Sequence, residues 1–461
     1  MPLHAAFTRT ILGPLWAKWE KSTYLRHYRR LRKTQFLSPE AIRARQWEDV
    51  RDLLIHAYGS VPFYRERFRA AGMHPRDFQD LDDFRGFPLL TKDDLRKHGR
   101  LMVSSLYSLE HTTQKRTSGS TGVSVQVSVD EQAQQFKRAC ALRSDEWSGW
   151  RFGEPVAMIW GNPECLKRGW RGRLRNALLE RATYLDTLKL DKAALARFAQ
   201  QLRRQQPALI YGHAHSVYLF AEYICRAQID GIRPRGVITT AMVLHNWQRR
   251  TVEEVFGCPV TNRYGCEEVS LIACECEQHH GLHVNADGVY VEILRDGLPV
   301  QPGEPGSVVV TDLRNRAMPI LRYQVGDVAV WSGRRCLCDR GLPLLERIEG
   351  READYVMTAA GELISGISLT ENFALHVAGL AQLQIIQETV DRFLFRIVRG
   401  PEFGEASLHR IRELVVERFG PDVSFECDYV DAIPQEPSGK YRFCISHVEN
   451  PFTRRQEVVV G

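Results

Sequence analysis

The sequence predicts an α/β protein: a large N-terminal region built on a parallel sheet, a small antiparallel unit after it, and a small, mobile α+β domain at the C-terminal end. Three observations lead there. From Pro155 to Gly265 short apolar runs alternate with segments of helical spacing, the pattern of strand–helix–strand crossovers over a parallel sheet. After residue 285 alternating or apolar runs lie between Gly and Pro turns, which suits antiparallel pairing. Beyond Gly350 a strand–strand–helix–strand order fills roughly a hundred residues, enough for an independent unit. The chain divides accordingly into residues 1–33, 34–350 and 351–461.

The first segment is basic. Arg9, Lys18, Lys21, Arg26, Arg29, Arg30, Arg32 and Lys33 stand against a single acid, Glu20, so residues 1–33 carry +7 and the rest of the +6 chain nets −1. Leu12, Leu15, Trp16, Trp19, Tyr24, Leu25 and Tyr28 are interleaved with those charges. A basic, aromatic helix can lie on an anionic membrane surface. It can equally pack its apolar stripe on the body and leave its charges in water, and both readings stand. The near-neutral remainder argues against a nucleic-acid partner.

In the second region Val156–Trp160, Leu209–Tyr211, Val237–Thr240 and Val260–Tyr264 read as short buried strands. Helical spacing links Leu195, Phe198 and Leu202, then Val217, Phe220, Ala221 and Ile224, then Val252, Val255 and Phe256. Ligands gather at the carboxyl ends of such strands, which puts Tyr264-Gly265 where a site belongs. Val289–Leu294, Val308–Leu313 and Val328–Trp331 make the antiparallel unit. In the last domain Leu383–Gln387, Phe393–Val398 and Val423–Tyr429 read as strands and Leu408–Phe419 as a helix.

Composition narrows the class. At 461 residues the chain exceeds one core. Its 44% hydrophobic and 26% charged content is that of a water-soluble globular protein. No run of eighteen apolar residues and no compact leader core behind a charged start occur, so neither a spanning helix nor a secretory signal is expected. Eleven scattered cysteines, an odd number, suit a reducing cytoplasm better than a disulfide scaffold.

Two stretches far apart suggest chemistry. Thr117, Ser118, Gly119, Ser120, Thr121 and Gly122 form a run of hydroxyls and unhindered backbone N–H groups suited to a phosphate chain. It lacks the Walker spacing, and no G-x-G-x-x-G opens a helix elsewhere. Pro437-Ser-Gly-Lys440 offers a lysine on a tight turn, a positive charge at a loop tip. A third group, Cys274, Cys276 and His283 followed by Cys336-Leu-Cys338, could close a tetrahedral zinc site from two hairpin-like loops. Cysteines packed as small hydrophobes explain the same residues.

Taken in order, Thr117–Gly122, Tyr264-Gly-Cys-Glu-Glu268, Arg322-Tyr-Gln-Val-Gly-Asp327, Gly350-Arg351…Asp354 and Pro437–Lys440 resemble the acyl-adenylate-forming superfamily, in its branch of phenylacetate–CoA ligases and CapK-like capsule-biosynthesis proteins. Leu53–Tyr58 with Val61–Arg65, Thr311–Leu313 and Met318–Tyr323 also look like that branch, and the likeness covers roughly residues 40–450. The resemblance implies an ATP-dependent, AMP-forming carboxylate ligase that passes its acyl group to CoA. Thr117–Gly122 would then hold the β- and γ-phosphates, Tyr264 with Gly265 would meet adenine, and Glu268 would hold Mg²⁺. Asp327 would accept the ribose hydroxyls, Arg351 would sit at the hinge, and Lys440 would reach the α-phosphate. Some members carry structural zinc, and the positions that match its ligands are Cys276, His283, Cys336 and Cys338, with Cys274 spare.

There are departures. Glu267 stands where the branch has a Ser or Thr, and either points away or shares the metal. Ala353 fills a hinge slot that is usually acidic or lysine, and Thr239–Met242 lacks a glutamate common among relatives. The acyl group is not legible: Trp160, His213 and His215 line a pocket in one reading and fill core in the other. The basic stretch Lys167–Arg175 contacts CoA phosphates, a carrier protein or a membrane, or is simply solvated. The resemblance leaves two alternatives to CoA transfer. One is acylation of an amine or hydroxyl on a polysaccharide precursor; the other is a catalytically silent, membrane-associated assembly factor. The expected location is cytoplasmic, or peripheral at the inner face of the membrane.

Overall fold

The computed structural model describes residues 2–116, 125–161, 169–188, 191–242, 244–349, 355–359, 363–433 and 444–448. Its strands are β1 (Thr113–Arg116), β2 (Gln126–Val129), β3 (Val156–Trp160), β4 (Ala182–Asp186), β5 (Leu209–His213) and β6 (Gly236–Thr240). They continue as β7 (Val260–Cys266), β8 (Ser270–Glu275), β9 (Leu282–Val284), β10 (Val289–Arg295), β11 (Leu298–Pro299), β12 (Pro305–Asp312), β13 (Tyr323–Trp331) and β14 (Leu344–Glu349). The last are β15 (Tyr355–Met357), β16 (Leu363–Ser365), β17 (Leu380–Thr389), β18 (Arg392–Arg399), β19 (Ser424–Tyr429) and β20 (Cys444–Ser446).

Two compact units form. Residues 1–117, 125–153 and 261–350 make the first. Its sheet runs β11-β10-β12-β13-β14-β9-β8-β7, antiparallel throughout. The antiparallel unit is therefore larger than the sequence suggested, because it begins at β7 and takes in the hairpin that follows. The helices Pro39–Ser60 and Glu131–Trp147 flank it. Ser38 caps the first, its Oγ accepting from the Ala41 N–H at 3.2 Å, with Pro39 pre-set in the first turn. Asp130 caps the second through the Ala133 N–H at 2.8 Å. Leu53, Leu54, Tyr64, Phe68, Phe84 and Phe87 are fully buried there with Val308, Val310 and Tyr323.

Residues 118–124, 154–260 and 351–461 make the second unit. Here β6, β5, β3 and β4 pair in that order, all parallel. The helices Lys192–Gln205, Ala214–Arg226 and Asn246–Phe256 connect and cover them, burying Phe198, Leu202, Phe220 and Phe256. Strand β4 at the edge was not anticipated from the sequence. A second sheet of the same unit runs β19-β18-β17-β20. With the helices Gly366–His376 and Glu405–Phe419 it builds its own core of Phe373, Phe393, Phe395, Ile411 and Leu414. The expected strands and helix of this region are present, and β20 adds a parallel edge to β17.

Candidate functional site

Arg322 shows how local backbone demands position the first group of residues. It is 3% exposed and holds a left-handed φ of 49°, rare for a residue with a side chain. Its Nε and one terminal nitrogen donate to the two Glu292 carboxylate oxygens, each at 3.0 Å, a bidentate buried pair. Its other terminal nitrogen donates to the carbonyls of Arg85 and Phe87. The next turn of the motif is irregular: between Gln324 and Val328 strand β13 slips against β12, and Gly326 takes a φ of +91°. Such a bulge re-aims the side chain that follows, and that side chain is Asp327.

Asp327 meets β7 there. The Tyr264 hydroxyl donates to Asp327 Oδ2 at 2.8 Å. A residue further back on β13, Tyr323, donates its hydroxyl to Glu268 Oε1 at 2.9 Å, and Glu268 is 5% exposed. Between Tyr264 and Glu268 the hairpin is very tight: a Cβ on Gly265 would stand 2.4 Å from the Ser270 carbonyl oxygen, and the ladder slips at this position. Glycine is required for close approach of β8. The structure thus brings Tyr264, Gly265, Glu268 and Asp327 into one cluster.

Glu267 has Lys115 as its partner. Its side chain lies 3.9 Å from the Lys115 ammonium, which also donates to Ser270 Oγ at 3.2 Å. Burial lowers the Lys115 pKa, against the pull of the Glu267 carboxylate. Lys115 is therefore a residue that sequence reasoning missed. Its only signal was position, two residues before Thr117 at the end of β1. Thr117–Gly122, Gly350–Asp354 with Arg351 and Ala353, and Pro437–Lys440 lie outside the described residues.

The cysteine group assembles. Cys276 follows β8, His283 lies on β9, and Cys336 with Cys338 lies in the loop joining β13 to β14; Leu344 of β14 pairs with His283 and closes the two hairpins together. The four ligand atoms lie within 4.8 Å of one another. Cys276 Sγ is 3.6 Å from Cys336 Sγ, and Cys338 Sγ is 3.2 Å from His283 Nε2. Those distances far exceed the ~2.05 Å of a disulfide. They approach the edges of a tetrahedron around zinc, about 3.8 Å between sulfurs and about 3.5 Å from sulfur to nitrogen.

His283 Nδ1 lies 3.3 Å from the Leu342 carbonyl, so the tautomer donating there turns a bare Nε2 toward sulfur. Burial lowers the His283 pKa to about 4, keeping the ring neutral as a ligand must be. Burial pushes the Cys276 and Cys336 thiols up. At Cys338 burial acts the same way, but hydrogen bonds from the Arg340 backbone and guanidinium outweigh it and hold the thiol below its ordinary value. Cys274 is buried apart from the group, and among the described residues this is the one metal-like cluster.

In the second unit the carboxyl ends of the parallel strands carry Trp160, His213 and Thr240. The Trp160 ring lies 4.0 Å from that of His213 and stacks on Tyr211 at 5.6 Å. Ala241, just past β6, is held at a φ of 68°. Strain of that kind in a side-chain-bearing residue concentrates at functional sites. The two histidines separate clearly. His215 is satisfied, accepting from Gln248 Nε2 at 2.8 Å through Nδ1. His213 is fully buried, and neither ring nitrogen has a hydrogen-bond partner among the described residues. Burial lowers its pKa to about 4. An unsatisfied buried polar group costs about 1–3 kcal/mol, a cost a polar ligand would remove.

Comparison with known proteins shows what the chain is similar to. Residues 356–447 match the CapK C-terminal domain family. The phenylacetate–coenzyme A ligase of Escherichia coli (strain K12) is 28% identical over 330 residues, 69% of this chain and 73% of that protein. Protein CapK of Staphylococcus aureus is 23% identical over 374 residues, 78% of this chain and 80% of that protein. Among solved structures, 2-hydroxyisobutyryl-CoA ligase in its thioesterification state, with 2-HIB-AMP and CoA, superposes with a TM-score of 0.59 at 22% identity, covering 88% of this chain and 90% of that one. The likeness extends across both units and shows that the fold is that of this ligase. The chain is a relative of the phenylacetate–coenzyme A ligases and of CapK, the branch its motifs resemble.

Proposed function

We propose that this relative of the phenylacetate–coenzyme A ligases and CapK is an ATP-dependent, AMP-forming carboxylate ligase. The observation that carries the reading is the joining of Tyr264 to Asp327 and of Tyr323 to Glu268, two buried acids held ready by hydroxyl donors. In the first step a carboxylate oxygen attacks the α-phosphorus of ATP. The new O–P bond forms as the bond to the bridging oxygen breaks, and pyrophosphate leaves with that electron pair. In the second step the CoA sulfur attacks the acyl carbon, its proton goes to solvent, and AMP departs.

The enzyme's part is positioning and charge neutralisation. Asp327 accepts the ribose hydroxyls, which needs an ionised, acceptor-only side chain. Tyr264, fixed through its hydroxyl, presents its ring to adenine across Gly265. Glu268 would hold Mg²⁺, which would supply neutralisation of the phosphate charge. By resemblance, Thr117–Gly122 would hold the β- and γ-phosphates, and Glu267 serves as partner to Lys115 rather than to the metal. By the same resemblance, Arg351 would act at the hinge and Lys440 would reach the α-phosphate. His213 offers a neutral hydrogen-bonding ring to the acyl group. Cys276, His283, Cys336 and Cys338 would hold one structural zinc: three thiolates and a neutral imidazole fit its donor preference, and Arg340 would offset the net negative charge.

The match of residues 356–447 to the CapK C-terminal domain favours a second reading, in which an amine or hydroxyl of a capsule or exopolysaccharide precursor takes the acyl group in place of CoA. A silent assembly factor is disfavoured, because such a copy has no use for the paired acids Glu268 and Asp327. The free thiols and the substrates suit the cytoplasm. The deciding experiment is pyrophosphate release from ATP across a panel of carboxylic acids, with and without CoA. Release that needs an acid, followed by thioester only when CoA is present, is expected. Release without thioester moves the acceptor to the second reading, and no release with any acid refutes the ligase.

A further inference from the structure

The N-terminal helices are assembled against the usual rule. Pro2–Phe7 and Gly13–Trp19 continue one another through a π turn at Thr8–Leu12. The side turned to the body is small: Ala5, Thr8, Gly13 and Ala17 are the buried residues. The fit is close, since a Cβ on Gly13 would stand 2.5 Å from the Phe152 ring and one on Gly153 would stand 2.9 Å from the Ala5 carbonyl oxygen. Leu12 and Trp16 are half-buried, but five large apolar side chains face out. Leu3, Phe7, Ile11, Leu15 and Trp19 recur every fourth residue and are 85%, 46%, 45%, 60% and 56% exposed. In an α-helix such positions drift by about 40° per step; the wider π turn takes part of that drift back. Single exposed apolar residues mean nothing, but a continuous ridge of five marks an interaction surface.

The next helix, Tyr24–Thr34, behaves normally. It buries Tyr24, Leu25, Tyr28 and Leu31 and exposes Arg26, Arg29, Arg30, Arg32 and Lys33. Lys18 and Lys21, both exposed, flank the Trp19 end of the ridge. Glu20 is the one acid of residues 1–33. Two copies of this face would bring +7 against +7, so the charge selects against self-pairing and for a negative partner. No helix of the described residues is long and apolar enough to cross a membrane. A ridge of Leu, Phe, Ile and Trp beside a basic face, with an indole at its edge, is what lies in the interface of an anionic bilayer.

We propose that residues 2–33 dock this protein on an anionic lipid bilayer, with Leu3, Phe7, Ile11, Leu15 and Trp19 inserted among the acyl chains and Lys18, Lys21, Arg26, Arg29, Arg30 and Lys33 against the headgroups. The enzyme's substrates would then be met, or its products released, at a membrane surface. Full-length protein is sedimented with vesicles of phosphatidylcholine alone or with about one third phosphatidylserine, at rising salt. Three proteins are compared: wild type, Phe7→Ser with Leu15→Ser and Trp19→Ser, and Arg29→Gln with Arg30→Gln.

Wild type is expected to bind the anionic vesicles and to leave them as salt rises. The basic double variant should lose about 25-fold in partition, near fivefold per charge removed. The ridge variant should lose at least tenfold. All changed residues are exposed, so melting temperature, and pyrophosphate release without vesicles, should stay at wild-type values. Wild type remaining in the supernatant at low salt overturns the proposal. So does a lipid-independent dimer that the ridge variant dissociates, or capture by an acidic protein with no vesicle binding.

Discussion

Replacing both Cys336 and Cys338 by serine should strip the protein of one zinc and lower its melting temperature. The 3.6 Å and 3.2 Å separations fall only a few tenths of an ångström short of the tetrahedral edges. Binding therefore needs little rearrangement, and most of its free energy should reach the folded state. A free-zinc level about a thousandfold above Kd contributes about 4 kcal/mol. For a unit of roughly 200 residues, at about 2–4 °C per kcal/mol, that is a shift of about 8–16 °C. The check is elemental analysis of purified protein together with thermal melts before and after chelation. One equivalent of zinc in wild type, none in the double variant, and a chelator-sensitive melt only in wild type are expected. A wild type that is metal-free and melts at the same temperature with or without chelator refutes the reasoning.

His213 should make stability depend on acid. Its folded pKa of about 4 lies below the ordinary ~6.5, so the unfolded chain gains a proton first; stability is full above about pH 6.5 and falls by about 3 kcal/mol as pH drops to about 4. Urea midpoints of His213→Phe against wild type across that window should show a flatter slope in the variant, with acyl preference moved toward apolar acids. Asp327→Asn should raise KM for ATP by about 10- to 100-fold, the worth of charge-assisted hydrogen bonds. Tyr264→Phe, which keeps the ring, should raise it less; steady-state kinetics separates them. Lys440→Ala should slow adenylation by roughly 100- to 1000-fold while ATP still binds, and acyl-AMP formation at the wild-type rate would remove Lys440 from the site.

Residue type and order made the acids and the thiols legible. Tyr264, Glu268 and Asp327 were singled out by the resemblance of their motifs, and the structure shows what the glycines beside them do: Gly265 allows a close approach and Gly326 takes a positive φ. Cys276, His283, Cys336 and Cys338 were picked out, with Cys274 spare, by resemblance to zinc-binding members, and the fold brings those four ligand atoms together. Strand β4 escaped because Ala182–Asp186 is only partly buried at a sheet edge and has no clean alternation. Lys115 escaped because a single lysine carries no pattern; only the fold sets it opposite Glu267. Residues 1–33 are the instructive case. Periodicity revealed an apolar stripe but could not say which way it faced, because small residues on the opposite side do not register as hydrophobic yet allow the closest packing.

The buried pair of Arg322 and Glu292 constrains how this sequence can change over time. Neither residue can be exchanged alone, since removing one partner strands a charge at 3–4% side-chain exposure and costs about 3–5 kcal/mol. That is a large part of the whole margin by which a protein of this kind stays folded. The φ of 49° adds a second filter at position 322, closing it to β-branched replacements, and the carbonyls of Arg85 and Phe87 require donors. Drift must cross a valley by two simultaneous changes thirty residues apart. Among descendants of this sequence the two positions should be lost together or kept together.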